Sequence, residues 1–324
     1  MTIKSLQAGA RVPSSRVPAL LGLLIAALIS FQPGAQAAEK NSFLVEADRA
    51  YHQGKIDRSI ELYEQAVQQD PSNTTAYMSL GVTHAEKGNW DRALQALHAA
   101  ERLNPKKPDV FINLSLVYAE KKQQAKAIEY AEKAVALKRS SSAYHTLGLA
   151  YDNAGQTQKA LGAYLEGVKA DPQDSDLYLT LGNFYTKQRN LEKAIAAYEA
   201  AIRANPRNSF AYSNIAYVYQ EKGNNEKAIE YLTQGAKSDT ADEISWYDLG
   251  SAYAKKGDID KAIEHYLKSL EINPGFYKAC LSLAMAYEKK RDLEKAAQYY
   301  TEAMSLTDDP NLKESILRQI TKNT

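Results

Sequence analysis

Cysteine is almost absent from this chain. Cys280 is the single one in 324 residues, which excludes an intramolecular disulfide framework and a cysteine-rich zinc fold. An excess of either charge is missing too. Forty Lys and Arg face 39 Asp and Glu, a net charge of +1, which excludes a strongly basic nucleic-acid surface though not a local patch. With 24% charged and 44% hydrophobic residues, disorder driven by charge is excluded. Histidines are few, and no two of His52, His84, His98, His145 and His265 lie three or four residues apart, so no metal site is expected. Serine-nucleophile elbows, phosphate-binding loops and dinucleotide glycine patterns are all missing. The expectation is a protein that is not an enzyme and needs no cofactor. Phenylalanine and tryptophan are scarce, 6 and 2, yet there are 22 tyrosines, as though one structural slot were filled repeatedly.

Long hydrophobic runs are lacking, apart from Ala19 to Phe31. Its thirteen residues would cover only ~20 Å as a helix, short of a ~30 Å hydrocarbon core. Lys4, Arg11 and Arg16 precede the run, and Ala35-Gln36-Ala37 follows it. A basic segment, a short apolar one and an A-x-A site predict a secretory signal peptide over residues 1–37, cut after Ala37. Without a cysteine at the cut or an Arg-Arg pair, the pattern fits the Sec route of a bacterial-type envelope. The expected location is the periplasm or outside the cell, with no stable membrane span after cleavage. Removing Lys4, Arg11 and Arg16 takes the net charge from +1 to −2, which disfavours DNA or anionic lipid as a partner.

Beyond residue 39 the sequence repeats. Tyr118, Tyr151, Tyr185, Tyr219, Tyr253 and Tyr287 are spaced 33, 34, 34, 34 and 34 residues apart. A fixed period of this length predicts a solenoid of helical pairs. Within each repeat, positions 4, 7, 8 and 11 share one face of a first helix, and positions 20, 24 and 27 share one face of a second. Small residues at 8, 20 and 27 (Gly148, Ala160 and Gly167, for example) are expected to let backbones approach, with large residues at 4, 11 and 24 between them. Gly54, Gly88, Gly155, Gly223 and Gly257 at position 15 predict a left-handed residue ending the first helix. Pro71, Pro105, Pro172, Pro206 and Pro274 close the second.

This pattern resembles the tetratricopeptide repeat family over eight consecutive copies: 40–73, 74–107, 108–140, 141–174, 175–208, 209–242, 243–276 and 277–310. The resemblance implies an all-α, right-handed α-solenoid of helix-turn-helix repeats over 38–310. Residues 311–324 read as a C-terminal capping helix. Leu312, Ile316 and Ile320 form its stripe, Asp309 its N-cap and Pro310 its first position; docking a partner is its alternative role. The third copy is one residue short, with Lys138-Arg139-Ser140-Ser141 in place of the proline turn. The sixth closes on Ser238-Asp239-Thr240. Both departures are read as loop drift. Asn73 and Asn113 match a glycosylation sequon, read as accidental.

The resemblance also implies that positions 2, 5, 9, 12 and 13 line a concave surface binding a protein or peptide segment. The candidate groove residues are Met78, Val82, Ile112, Leu116, His145, Leu149, Asn183, Phe210, Asn214, Tyr217, Ile244, Tyr247 and Met285. Many are apolar, in positions the core does not need, as at a binding surface. Some members of the family grip a peptide C-terminus between asparagines and cations. Asn183 and Asn214 match those asparagines, but Leu179, Ile244 and Asp248 stand where the cations would be. The expected function is an exported, non-catalytic interaction scaffold for assembling an envelope or secretion machine. The alternatives are a glycan-associated or enzyme-linked accessory module and a self-assembling array.

Overall fold

The computed structural model describes residues 42–238 and 242–323; the expected signal peptide and its cleavage site lie outside them. Among the described residues there are seventeen α-helices and no strand. They divide into two compact units that meet in sequence at Pro172 and Gln173.

The first unit holds α1 (Ser42–His52), α2 (Ile56–Gln69), α3 (Thr74–Glu86), α4 (Trp90–Leu103), α5 (Pro108–Glu120), α6 (Gln124–Leu137), α7 (Ser141–Asn153) and α8 (Thr157–Ala170). Odd- and even-numbered helices pair as antiparallel neighbours. The reversal is made at position 15, where Gly54, Gly88 and Gly155 take φ of 70°, 81° and 72°. Lys122 fills the same place at φ 57° without being glycine. A Cβ at any of the three glycines would meet nothing within 4 Å, so the cost of a side chain there is the left-handed backbone itself, about 1–2 kcal/mol.

Within a pair, position 8 of the first helix meets position 24 of the second. A Cβ added to Gly148 would stand 2.3 Å from the Tyr164 ring, and one on Gly81 2.6 Å from Leu97. Glycine therefore admits an aromatic or leucine side chain here, rather than only a second backbone.

A second aromatic layer joins positions 11 and 23. Tyr118 stacks on Tyr130 at 5.3 Å, and the ammonium of the position-19 lysine, Lys126, lies over the Tyr118 ring, 5.0 Å from its centroid. The Tyr118 hydroxyl reaches His98 Nε2 at 3.0 Å, whose Nδ1 meets Glu101 at 2.8 Å. This accounts for tyrosine over phenylalanine: the ring is covered while the hydroxyl finds a polar partner at the margin.

The short third copy is more than loop drift. The α6–α7 connection has three residues where α4–α5 has four, and Ser140 caps α7 by accepting from the Ala143 N–H. In this unit α5 and α7 pack against each other far more extensively than α3 and α5 do. Every residue of α5 from Val110 to Tyr118 is buried. Asn113 is among them, which removes its sequon from the surface, and Asn73 is spent capping α3.

The second unit holds α9 (Ser175–Lys187), α10 (Leu191–Ala204), α11 (Ser209–Glu221), α12 (Asn225–Ala236), α13 (Glu243–Lys256), α14 (Ile259–Ile272), α15 (Tyr277–Lys289), α16 (Leu293–Ser305) and α17 (Pro310–Asn323). The same devices recur. Arg189, Gly223, Gly257 and Arg291 reverse the chain with positive φ. Tyr198 and Tyr266 fill the space left by Gly182 and Gly250. Tyr219–Tyr231 and Tyr287–Tyr299 stack at 5.6 and 5.7 Å. Ala194 is wholly buried among Tyr198, Ile215 and Leu232. The Asp309 carboxylate accepts from the Asn311 N–H at 2.9 Å, starting α17, which buries Leu312 and Ile316 against Cys280, Tyr300 and Ala303. Burial pushes the Cys280 thiol up to about 11. Among the described residues no helix is long and apolar enough to cross a membrane.

Candidate interaction groove

The expected groove residues separate by unit. In residues 42–172, Met78, Val82, Ile112, Leu116 and His145 are each 5% exposed or less. This corrects the expectation of an accessible apolar strip there. These side chains are consumed by packing around α3, α5 and α7, and of these first helices α5 and α7 come into extensive contact. The His145 ring lies edge-on to Tyr164, 6.3 Å between centroids. Of this group only Leu149 keeps a partly open position.

In residues 173–323 the corresponding face stays accessible. Phe210 is 56% exposed and Ile244 40%, at position 2 of α11 and α13. Asn183, Asn214, Tyr217, Tyr247 and Met285 are partly covered. Beneath them runs a line of hydrogen bonds, one of which joins position 9 of one repeat to position 6 of the next. Asn183 Oδ1 accepts from the Tyr198 hydroxyl and from Asn214 Nδ2, both at 2.8 Å. With that oxygen doubly occupied, the Asn183 amide donors and Asn214 Oδ1 have no protein partner among the described residues. Together they complement the C=O and N–H of an extended peptide. Further along, Tyr266 donates to Ser251 Oγ at 3.3 Å. The Tyr247 ring sits 5.7 Å from Tyr266 and 5.3 Å from Phe276, and hydrogen bonds link its hydroxyl region to Ser251 and Ser282. Tyr247 and Tyr217 are thus half core and half groove; both pack against buried clusters.

Asp248 lies on the same line, at position 6 of α13. Loss of water raises its carboxyl to about 6; a hydrogen bond from Ser213 and the charges of Lys255 and Lys278 act the other way, while Asp242 adds to the rise. Burial likewise lifts the Tyr198 and Tyr266 phenols to about 12, so both remain protonated donors at neutral pH. Sequence reasoning passed over Ser282, and weighed Asp248 only as the wrong charge for gripping a carboxylate. The signal was the polar run at position 6, Thr180, Asn214, Asp248 and Ser282, which a search for apolar positions overlooks.

Models of the tetratricopeptide repeat match residues 197–230, 244–276 and 279–314. A model described as the cilia and flagella-associated protein 70 C-terminal domain matches residues 23–205, more than half of the chain. The chain belongs to the tetratricopeptide repeat family. Solved structures carry the same fold. The human IFIT1 dimer with PPP-AAAA is 21% identical, with 78% of this chain and 69% of that one covered and a TM-score of 0.52. Pseudomonas aeruginosa PilF is 19% identical over 69% of this chain and 98% of its own, TM-score 0.51. A chain of the APC/C hetero-tetramer Cut9–Hcn1 is 17% identical over 87% of this chain, TM-score 0.50; this tetratricopeptide chain spans only 56% of its length. No curated protein sequence matches. At these identities the likeness establishes an all-α solenoid and nothing finer. Tetratricopeptide repeats support a role as a protein–protein interaction scaffold.

Proposed function

We propose that this protein is an exported, non-catalytic scaffold that binds an extended partner segment along the groove of residues 173–323, in the assembly of a cell-envelope or secretion machine. The observation that carries the reading is the pairing of exposed apolar side chains, Phe210 and Ile244, with the peptide-complementary amides of Asn183 and Asn214. Apolar contact supplies affinity and the amides fix direction and register. Export rests on the charged, apolar and A-x-A segments before residue 38.

The test uses the chain as it is made in the cell. Phe210→Ala with Ile244→Ala should abolish capture of the partner from envelope extract, while helicity and thermal midpoint stay nearly unchanged because neither side chain is buried. Normal capture by that variant would refute the groove. Mass spectrometry of the exported protein should begin at Ala38; recovery of Met1 would refute cleavage.

A further inference from the structure

Position 23 of α12 and of α16 is a tyrosine, Tyr231 and Tyr299, stacked on the position-11 tyrosine of its own repeat. In α14 the same position is His265. Its ring stacks on Tyr253 at 5.2 Å and on Trp246 at 5.6 Å, both from α13. Its Nδ1 is buried and has no hydrogen-bond partner among the described residues. A neutral imidazole can leave one nitrogen bare, whereas the protonated ring carries N–H on both. Taking up a proton therefore puts a buried donor where the structure offers no acceptor, at a cost in free energy.

The surroundings do little to offset that cost. The two rings that His265 touches already hold ammonium groups, Lys261 at 5.1 Å from the Tyr253 centroid and Lys268 at 4.8 Å from that of Trp246. Their attraction for a further cation is partly spent. The charges acting on His265 are led by Glu264, Lys268, Lys261 and Asp258, all on α14 or its cap. The two acids are paired with the two lysines: Lys268 donates to Glu264 at 2.8 Å, and Lys261 stands 3.6 Å from Asp258. From neighbouring helices, the titratable side chains in the adjoining buried cluster are phenols: Tyr247 and Tyr253 of α13, Tyr287 of α15 and Tyr299 of α16. Loss of water lowers His265 below its ordinary value of 6.5, against the pull of Glu264.

We propose that His265 makes the α13–α14 pair a proton-sensitive joint, closed while the imidazole is neutral and slackened once it is charged. A histidine lowered in the folded chain contributes stability that is full above its unfolded value and is lost as pH falls from there to its folded value. Because α13 also carries Ile244 and Tyr247, acid would loosen that wall of the open face. The joint itself does not rest on the groove reading.

Two measurements on the full chain test it. In NMR of histidine-labelled protein, the His265 ring should titrate below about 6, with the signal assigned by its absence from His265→Tyr. Amide exchange, expressed as protection relative to the intrinsic rate at each pH, should show α13 losing at least about threefold more protection than α11 between pH 7.5 and 5. His265→Tyr, which restores the residue of the two neighbouring repeats, should bring the α13 loss to within about 1.5-fold of the α11 loss. A ring that titrates at about 6 or above, or an α13 loss unchanged by His265→Tyr, overturns the proposal. Should the tyrosine variant fail to fold, His265→Gln supplies both the assignment and the comparison.

Discussion

The two units use one repeat plan and reach opposite outcomes on the same face. In residues 42–172, positions 5 and 9 bury Met78, Val82, Ile112, Leu116 and His145 and leave Leu44, Asp48 and Leu149 partly open. In residues 173–323 only Leu281 is buried at these positions; Asn183, Tyr217, Tyr247, Ser251 and Met285 are partly open, with Phe210 and Ile244 exposed beside them at position 2. Two causes act together. The α6–α7 connection is one residue short, and α5 and α7 are drawn into direct contact. The first unit's face is also apolar enough to reward that closure, whereas polar side chains at positions 6 and 9 of the second keep their capacity for a ligand. One surface has become core and the other remains a surface.

The sharpest way to break this comparison is to truncate an isoleucine from each face. Ile112→Ala should cost about 2–5 kcal/mol by denaturant unfolding, because it opens a cavity in a closed face. Ile244→Ala should stay within about 0.5 kcal/mol, as at an exposed site. Similar costs would mean that the faces do not differ. Next, Ala194→Leu should cost about 1–3 kcal/mol by overpacking the α9–α10 joint, seen as a lower unfolding midpoint. An unchanged midpoint would displace position 20 from the helix contact.

Smaller effects sharpen the account of the open face. The folded pKa of Asp248 is raised to about 6, above its value in an unfolded chain. Its stabilising contribution is therefore full below pH ~4 and lost as pH rises through about 6. Asp248→Asn should accordingly stabilise the fold at pH 7.5 by about 1 kcal/mol after allowance for partial exposure, seen as a higher thermal midpoint, with no gain below pH ~4. A destabilised midpoint at neutral pH would show that the Asp248 carboxylate holds the fold together. The smallest effect lies at the turns. Lys122→Gly in the first unit and Arg189→Gly in the second should each stabilise by about 0.5 kcal/mol, because both residues hold positive φ. Equal gains would show that the turn device is common to both units and that their difference lies in the faces.

The helices and their pairing were legible because burial imposes a period. Position 8 must be small wherever Tyr164, Tyr198 or Tyr266 enters, and position 15 must accept positive φ, so both leave marks every 34 residues. The tyrosine excess was legible as a slot, but its stacking against position 23 and its cover by position-19 lysines were not, since those pairs join different helices. The groove was half legible. Phe210, Ile244, Asn183 and Asn214 were picked by position alone, and the structure keeps them accessible. Met78 and Ile112 were picked by the same rule and are buried.

By itself, then, the sequence determined the helical repeat, its turns and its small-to-large packing, because each is set by contacts within one pair or between adjacent ones. It did not determine which apolar face would be closed. An isoleucine at position 5 obeys the same local rules whether a neighbouring helix covers it or water does. Only the tertiary structure decides that, through the approach of α5 to α7 across a connection one residue short, and through the hydrogen bonds that hold Asn183 and Asn214 to each other at the base of the open groove.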